Sequence, residues 1–321
     1  MTRAALDHAT LKHLSRRNNA ASVWRLAVHV GAWLATGTAV ASLTLSGHWW
    51  AWLLAMPVLM LHGCVTTFFG YAGLGHELHH GTVFSSQALN RALFQVVSFL
   101  TWNNPVYFRA SHSIHHRHTL EAGKDHEVNP APYPLLEQWW RYAFVDWAAL
   151  KRAFRIYKDN ATDHVRGPFG EQAFRRGTPA RSALVRTARW HVGIHCGLAV
   201  AALAVGFWPW VLLVTLAPFI CTWPNRVLAK LQHSRCERVD DYRHNSRTVL
   251  LPAWLALFYW NMNYHIEHHM YPAVPYCKLP ALREALLSQL PHTEAGLRPH
   301  WDSLRMPNTP PRTRPLNHER A

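Results

Sequence analysis

Four apolar runs, arranged in two pairs, restrict the folds open to this chain more than any other feature of its sequence. The predicted spans cover residues 24–45, 49–73, 190–206 and 208–223. A helix needs roughly 20 apolar residues to cross a bilayer. The links at 46–48 and 206–207 are so short that each pair must form a hairpin. The sequence therefore predicts an all-α integral membrane protein with four transmembrane helices in two hairpins.

The cationic residues indicate how these hairpins are oriented. The two short links carry no Lys or Arg, although the chain holds 33 of them. Because the cytosolic loops of inner-membrane proteins are enriched in Lys and Arg, we expect a multi-pass protein of the bacterial inner (cytoplasmic) membrane. Both termini and the active site would be cytosolic. Residues 74–189 and 224–321 would then form a helical cytosolic cap.

The composition is that of one large domain. The chain has 321 residues, of which 49% are hydrophobic and 16% charged, and this fits a single membrane domain over residues 1–306. Residues 307–321 are rich in Pro, Asn and Arg and are expected to form a disordered tail. The five cysteines lack CxxC spacing, which argues against a disulfide framework and against a cysteine-based metal site.

Histidine is concentrated in three short clusters on the predicted cytosolic side. They read HELHH at 76–80, HSIHHRH at 112–118 and HIEHH at 265–269. On a helix, positions i, i+3 and i+4 share one face, so each cluster can aim two or three imidazoles at one point. Neutral imidazole suits iron, zinc and copper. One such match could arise by chance among 24 histidines, but three together predict a shared histidine-ligated metal site in the cap.

Histidines outside the clusters fall into two classes. His126, His164, His233 and His244 could each supply an additional ligand, and His233 is preferred because it closely follows the last predicted span. The isolated histidines are expected to be structural or exposed; they are His29, His48, His191, His195, His292 and His300.

The order and spacing of the clusters resemble the three histidine boxes, HxxxH, HxxHH and HxxHH, of the membrane fatty acid desaturase and hydroxylase superfamily. The flanking segments 107–111, 261–264 and 270–272 are similar to those of its bacterial branch. The resemblance covers roughly residues 50–290 and implies two Fe ions in a non-haem diiron centre, with O2 as co-substrate. The implied metal ligands are His76, His80, His112, His115, His116, His233, His265, His268 and His269.

Seven further residues lie near these ligands in the sequence. Their acidic and amide groups could accept the remaining imidazole N–H groups and hold the rings in orientation. His79 and His118 exceed the usual box pattern, and their roles stay open. The candidates for this supporting shell are Glu77, His79, His118, Asp125, Asn261, Asn263 and Glu267.

The resemblance implies an O2-dependent oxidoreductase, first a desaturase that introduces a C=C bond into a fatty acyl or related alkyl chain. A hydroxylase of an alkyl chain, a carotenoid or an amino-acid-derived metabolite is the alternative. The segment 76–80 also satisfies the HExxH motif of intramembrane zinc proteases, which would leave the other two clusters unexplained. A metal transporter would need polar residues inside the spans, where the candidates are His29, His191 and His195.

The electrons must come from another protein. The sequence has no GxGxxG fingerprint, no iron–sulfur cysteine pattern and no HPGG haem-binding segment. A separate donor, a ferredoxin-like carrier or another reductase chain, is therefore expected, together with a lipid or alkyl-chain substrate that enters from the membrane. The net charge of +15 fits anionic lipid or an acidic carrier, and no nucleic-acid partner is expected.

Overall fold

The computed structural model describes residues 1–127, 135, 137–237, 239–293 and 295–305. The predicted tail, 307–321, lies outside the described residues. Within them the chain is all-helical, and its extended segments meet only in isolated bridges such as Thr248 with Tyr264. The predicted helical class is therefore confirmed for this part of the chain.

The α-helices differ widely in length, from single turns to elements long enough to cross a bilayer. In chain order they are α1 (His8–Leu14), α2 (Asn19–Leu45), α3 (Ala51–Thr67), α4 (Leu74–His80), α5 (Gln87–Leu100), α6 (Pro105–Arg117), α7 (Trp140–Ala143), α8 (Trp147–Ala161), α9 (Pro168–Ala173), α10 (Pro179–Ala204), α11 (Trp223–His233), α12 (Tyr242–Asn245), α13 (Ala253–Phe258), α14 (His265–Met270), α15 (Leu279–Leu286) and α16 (Trp301–Arg305).

The first hairpin pairs α2 with α3. Asn18 begins α2 by accepting a hydrogen bond from the backbone N–H of Ala21, at 3.0 Å. Among the described residues, α2 is the one helix whose length and hydropathy suit a membrane span. The second helix, α3, ends at Thr67, six residues before the predicted boundary, because the chain turns through residues 68–73 before α4.

The second hairpin differs from the prediction at both of its segments. Thr178 caps α10, which therefore begins eleven residues before the predicted position 190. The predicted span 208–223 is not one continuous helix. It consists of a π-helical segment, Val211–Leu216, and a 3-10 turn, Ala217–Phe219, before α11 begins. Pro218 lacks the N–H that a continuing helix would need, and this accounts for the break.

The broken fourth segment packs closely against the first hairpin. Gly63 of α3 faces Ile220, where any side chain would clash with the Ile220 carbonyl oxygen. His62 lies beside it, with its Nε2 2.9 Å from the carbonyl oxygen of Leu213 in the π-helical segment. His62 lies inside a predicted span, but the sequence analysis did not name it among the polar residues there. Its side chain is buried at this contact.

A buried apolar cluster joins the helices that carry the first two histidine boxes. Side chains from α4, α5 and α6 meet Trp260 there, five residues before the third box, so the core positions all three boxes relative to one another. Its largest members are Phe69, Leu74, Leu78, Phe94, Phe108 and Trp260.

Candidate metal centre

Local sequence signals place each histidine box on a short helix. Gly81 ends α4 in the left-handed region, with φ of 69°, which glycine adopts without strain. The Asn104 side chain begins α6 by accepting the Val106 N–H at 3.0 Å, and Pro105 occupies the first turn. His233 is the last residue of α11.

Five histidines from all three boxes form the first group. Nε2 of His76 lies 2.8 Å from Nε2 of His268 and 3.1 Å from that of His112. Nε2 of His112 is also 3.2 Å from that of His80 and 3.0 Å from that of His116. One ligand atom from each ring lies within 4.8 Å of every other. The first group can therefore surround one metal ion.

Four more histidines form the second group: His115, His233, His265 and His269. Nε2 of His265 lies 2.9 Å from that of His233 and 3.0 Å from that of His269. The ring of His115 is 4.8 Å from the ring of His233, centroid to centroid. The structure thus brings all nine predicted histidines together, and their role as metal ligands stays a prediction.

The two groups are direct neighbours. The rings of His116 and His269, one from each group, stack with their centroids 4.3 Å apart. The second histidine box contributes side chains to both groups, because His112 and His116 belong to the first group and His115 belongs to the second. This arrangement suits a pair of metal ions.

The hydrogen bonds made by the Nδ1 atoms show whether the Nε2 atoms, which face the centre of the group, are free to bind a cation. Nδ1 of His76 lies 3.1 Å from the Tyr71 carbonyl oxygen, which can only accept, so Nδ1 donates. Nδ1 of His112 likewise faces a Glu127 carboxylate oxygen at 2.7 Å. A neutral imidazole carries one N–H, so the two Nε2 lone pairs point at each other across 3.1 Å. A bound cation would relieve that repulsion.

Eight of the nine clustered histidines favour the neutral form that metals require, because their pKa values are lowered. Burial, with the neighbouring imidazoles, lowers the pKa of His76 to about 3 and that of His233 to about 3. The same causes hold the pKa of His268 well below its ordinary value. The set consists of nitrogen donors, which suit iron, zinc and copper.

His115 differs because a carboxylate contacts its ring. Asp125 Oδ2 lies 2.9 Å from Nδ1 of His115. Burial alone would lower the pKa of His115, but the hydrogen bond to Asp125 and the nearby Glu127 charge outweigh burial and raise it. Burial of Asp125 is likewise outweighed by this bond, so its pKa falls to about 2. Asp125 therefore has the supporting contact expected from the sequence.

Glu127 is a site residue that the sequence reasoning missed. Its Oε2 faces His112, while its Oε1 accepts a hydrogen bond from the Ser111 hydroxyl at 2.5 Å. Burial raises the pKa of Glu127 to about 7. Glu127 lies in a loop without helical periodicity. Its position two residues after Asp125 was the available sequence signal for a supporting role.

Glu77 lies behind the ring of His268, away from the Nε2 atoms. Its Oε2 accepts hydrogen bonds from the Thr82 hydroxyl at 2.7 Å and from the Tyr276 backbone N–H at 3.2 Å. Its Oε1 is 3.7 Å from Nδ1 of His268. Burial raises the pKa of Glu77 to about 7. Its position is suited to orienting His268.

Glu267 does not contact a histidine ring in the way the sequence suggested. Its Oε2 accepts from the Thr248 hydroxyl at 2.5 Å, and its Oε1 pairs with Arg283 at 2.7 Å. These contacts fix α14 against α15 and the segment before α13. Glu267 therefore supports the third box through the helix that carries it.

The two asparagines before the third box also bond to backbone rather than to imidazole. Asn263 donates to the Val249 carbonyl oxygen at 2.9 Å, and Asn261 donates to that of Tyr276 at 2.9 Å. Both tie the chain entering α14 to its neighbours. The predicted bonds to histidine rings are not made.

Arg25 of α2 holds a turn of unusual backbone geometry. Trp260 and Asn261 both have positive φ, 54° and 56°, a region that side chains disfavour. Nη2 of Arg25 donates to Asn261 Oδ1 at 3.0 Å and to the Ala256 carbonyl oxygen at 3.3 Å. The first hairpin thereby fixes the entry to the third box.

The two surplus histidines of the boxes lie outside both groups. His118 is exposed, with its Nδ1 2.7 Å from Glu121 Oε2. His79 packs edge-on against Phe108 and His112, with centroid distances of 5.2 and 5.3 Å. Neither has a ligand atom within either group.

The comparisons with known proteins agree with this geometry. The family model described as "Fatty acid desaturase" matches residues 48–301, a range that includes all nine clustered histidines. No curated protein matches the chain.

Proposed function

The chain belongs to the fatty acid desaturase family, and from this premise we propose that it is an O2-dependent diiron desaturase of fatty acyl or related alkyl chains. Membership makes it an oxidoreductase of the desaturase and hydroxylase type, membrane-associated like its family. The observation that carries the proposal is the pair of adjoining groups of five and four buried histidines.

The ligand assignment follows from these groups. The five histidines of the first group would hold one iron and the four of the second group the other. Two bound irons would supply the O2 chemistry that no side chain can provide. The nine imidazoles would be neutral, so the charge of the irons would be offset from outside the ligand shell, by carboxylates such as Asp125, Glu127 and Glu77 beside the rings.

The supporting residues keep the rings in place. Asp125 and Glu127 accept Nδ1 hydrogen bonds and so hold Nε2 of His115 and His112 toward the centre. A carbonyl oxygen does the same for His233, whose Nδ1 lies 2.9 Å from the oxygen of Asn245. This fixes the tautomer that binds a metal.

The contacts of Glu77 argue against a zinc protease. In an HExxH protease the glutamate activates a water molecule at the metal. Here the Glu77 carboxylate is engaged by Thr82 and Tyr276, on the far side of the His268 ring from Nε2. His76 and His80 also share their group with three other histidines, which exceeds the ligand number of a protease zinc.

The membrane arrangement completes the proposal. The helices α2, α3 and α10 and the interrupted segment 208–223 cross the bacterial inner membrane as two hairpins, with both termini and the histidine groups in the cytosol. The length of α2, 27 residues, supports this, as do the exposed tryptophans at the hairpin tips. Trp52 and Trp208 stack there with centroids 5.7 Å apart, and tryptophan is enriched at bilayer interfaces.

The substrate and the electrons come from outside the chain. An acyl or alkyl chain enters from the bilayer, and a separate ferredoxin-like or other reductase protein supplies two electrons per turnover. Both partners follow from the family and from the absence of any redox-cofactor motif in the sequence.

The first experiment measures the metal content of the full-length protein, purified in detergent from iron-supplemented cells, by elemental mass spectrometry. Two irons per chain, with the spectroscopic signature of a coupled pair, are expected. One zinc without iron would overturn the diiron assignment and favour a hydrolase. Serum albumin carried through the same purification steps controls for adventitious metal.

The second experiment identifies the product. Lipids and metabolites of cells that produce the wild-type chain are compared with those of cells that produce His112→Ala. A new double bond that depends on the wild type is expected. A new hydroxyl group would instead assign the chain to the hydroxylases of the same family.

A further inference from the structure

Two adjoining cavities form a cationic cleft where the segment 162–178 meets the beginning of α10. Their volumes are about 600 and 670 Å³, and they share Asp163 and Arg181 in their walls. We call them together the arginine cleft. Its cationic wall residues are Arg166, Arg175, Arg176, Arg181, Arg186 and Arg189.

Two of these arginines serve the structure itself. Arg181 is buried and donates to Asp163 Oδ1 at 2.6 Å and to the Phe174 carbonyl oxygen at 3.0 Å. Arg166 pairs with Asp159 at 2.9 Å. These two side chains already have anionic partners. They therefore shape the cleft, and its excess positive charge comes from the other four arginines.

The remaining four arginines are exposed and form no ion pair within 4 Å among the described residues; the Asp163 carboxylate, already paired with Arg181, acts on Arg176 and Arg189 only at longer range. Arg175 and Arg176 line the first cavity, and Arg186 and Arg189 line the second. The one further acidic residue of the walls, the exposed Glu171, offsets a single charge. The cleft therefore has a clear excess of positive charge that would attract an anion.

The second cavity continues along α10 toward apolar surface. Its walls include Trp190, which is 64% exposed, and Gly193. A Cβ atom added to Gly193 or to Gly197 would meet nothing within 4 Å. Because residues four apart share a helix face, Gly193 and Gly197 leave a shallow apolar groove along α10, on the C-terminal side of the arginines. The surface is thus cationic at one end and apolar at the other.

The neighbouring helix α8 has the composition of a membrane interface. It packs against α10 and exposes Trp147 and Phe154 together with Lys151 and Lys158. Large apolar side chains beside cationic ones are typical of helices that lie at the level of lipid head groups. This places the arginine cleft at the same level, provided that α10 crosses the membrane as in the proposed function.

We propose that the arginine cleft binds the phosphate of an anionic phospholipid, with Arg175, Arg176, Arg186 and Arg189 around the head group and an acyl chain along Gly193 and Gly197. Planar guanidinium groups match phosphate oxygens in geometry and charge. The apolar groove favours a lipid over free phosphate, because a free ion would use only the arginine end.

The test counts bound lipid on the detergent-purified full-length protein. The protein is equilibrated with mixed micelles of phosphatidylglycerol and phosphatidylcholine of equal chain length, and the retained lipids are counted by native mass spectrometry. Wild type should retain phosphatidylglycerol preferentially. The double variant Arg186→Gln/Arg189→Gln should bind it about 30-fold more weakly, because each cation near the surface contributes roughly fivefold in affinity.

A matched control and a second variant separate the site from general charge and from misfolding. Arg16→Gln/Arg17→Gln removes two exposed charges beside the start of α2 and should leave lipid retention unchanged. Arg189 donates to the Ala161 carbonyl oxygen at 2.8 Å, so the second variant is Arg175→Gln/Arg176→Gln. The side chains of Arg175 and Arg176 make no hydrogen bond or ion pair among the described residues, and the same loss is expected.

Three results would overturn the assignment. Equal loss in the control variant would mean that overall charge, not the cleft, attracts the lipid. Displacement of phosphatidylglycerol by inorganic phosphate at constant ionic strength would assign the cleft to a free anion. If lipid binding is unchanged in both cleft variants but an acidic ferredoxin reduces the iron of these variants more slowly, the cleft is a protein-docking surface. Lipid counting requires no turnover, so this proposal and the diiron proposal fail independently.

Discussion

The carboxylate of Glu127 lies 2.7 Å from Nδ1 of His112, while Nε2 of the same ring lies 3.1 Å from Nε2 of His76. One imidazole therefore connects a half-buried acid to the interior of the first histidine group. The carboxylate fixes the ring from behind, and the orientation of Nε2 depends on it.

Glu127→Ala should lower iron affinity and turnover by roughly 10- to 100-fold, because removing a carboxylate behind a metal-binding histidine typically has this effect. Glu127→Gln keeps an acceptor oxygen and should retain most of the iron. Glu121→Ala is the control, since Glu121 bonds to His118 at the same 2.7 Å but outside both groups. Iron analysis and activity assays measure the effects; full iron in Glu127→Ala would contradict the supporting role.

Substitutions in the two histidine groups should remove different irons. His268→Ala takes a donor from the first group and His265→Ala one from the second, so each variant should lose about one iron per chain and all measurable turnover. His118→Ala, which changes an exposed ring, should keep both metals and the activity. Retention of two irons and wild-type turnover by either group variant would refute its ligand assignment.

Arg25→Met should weaken both the fold and the reaction. The change leaves Asn261 Oδ1 and the Ala256 carbonyl oxygen without their donor, at a cost of roughly 1–3 kcal/mol, and releases the positive-φ turn before the third box. The expected result is a lower unfolding temperature and reduced turnover. Arg16→Met, a change at an exposed position, should have neither effect. An unchanged third-box geometry and activity in Arg25→Met would show that the turn holds without Arg25.

Gly63→Ala should destabilise the contact between the hairpins. The new methyl group would lie 2.7 Å from Ile220 Cβ and clash with the Ile220 carbonyl oxygen, and overpacking of this kind costs roughly 1–3 kcal/mol. Gly31→Ala in α2 meets nothing within 4 Å and should be neutral or slightly stabilising. Thermal unfolding in detergent compares the pair; equal unfolding temperatures would disprove the close approach.

Removing the metal should lower the unfolding temperature of the wild type. Without a cation, the Nε2 lone pairs of His76 and His112 face each other, and ligand binding stabilises the folded state by mass action. Chelation followed by thermal unfolding tests this, and Fe²⁺ should restore stability where Mg²⁺ does not. Stability that is unchanged after verified iron removal would count against a metal in the groups.

The eight box histidines of the two groups could be predicted from the sequence because their spacing on helices is a local property. His233 was accessible as well, since it follows a span and ends a helix. Glu127 was not, because its contact with His112 depends on the path of a non-helical loop. The contact between Arg25 and Asn261 joins residues 236 positions apart, a separation that no local pattern reveals.

The helix limits were predicted less well in the second hairpin. Apolar composition locates the middle of α10, but its first turns carry Arg181, Arg186 and Arg189, which hide the true start at Pro179. Pro218 interrupts the helix, while His62 contacts the π-helical segment before the break and Gly63 faces Ile220 after it. Hydropathy does not detect such interruptions, because the residues around them are apolar.

The composition of the two histidine groups also sets an order of events during biosynthesis. His76 and His268, which lie 2.8 Å apart in the first group, are separated by 192 positions in the chain. Neither group can close until the ribosome has passed the third box and the earlier helices have been inserted. Metal ions bound as proposed would therefore be loaded late, and the first two boxes of a nascent chain would stay metal-free or only loosely occupied until the third box has been made.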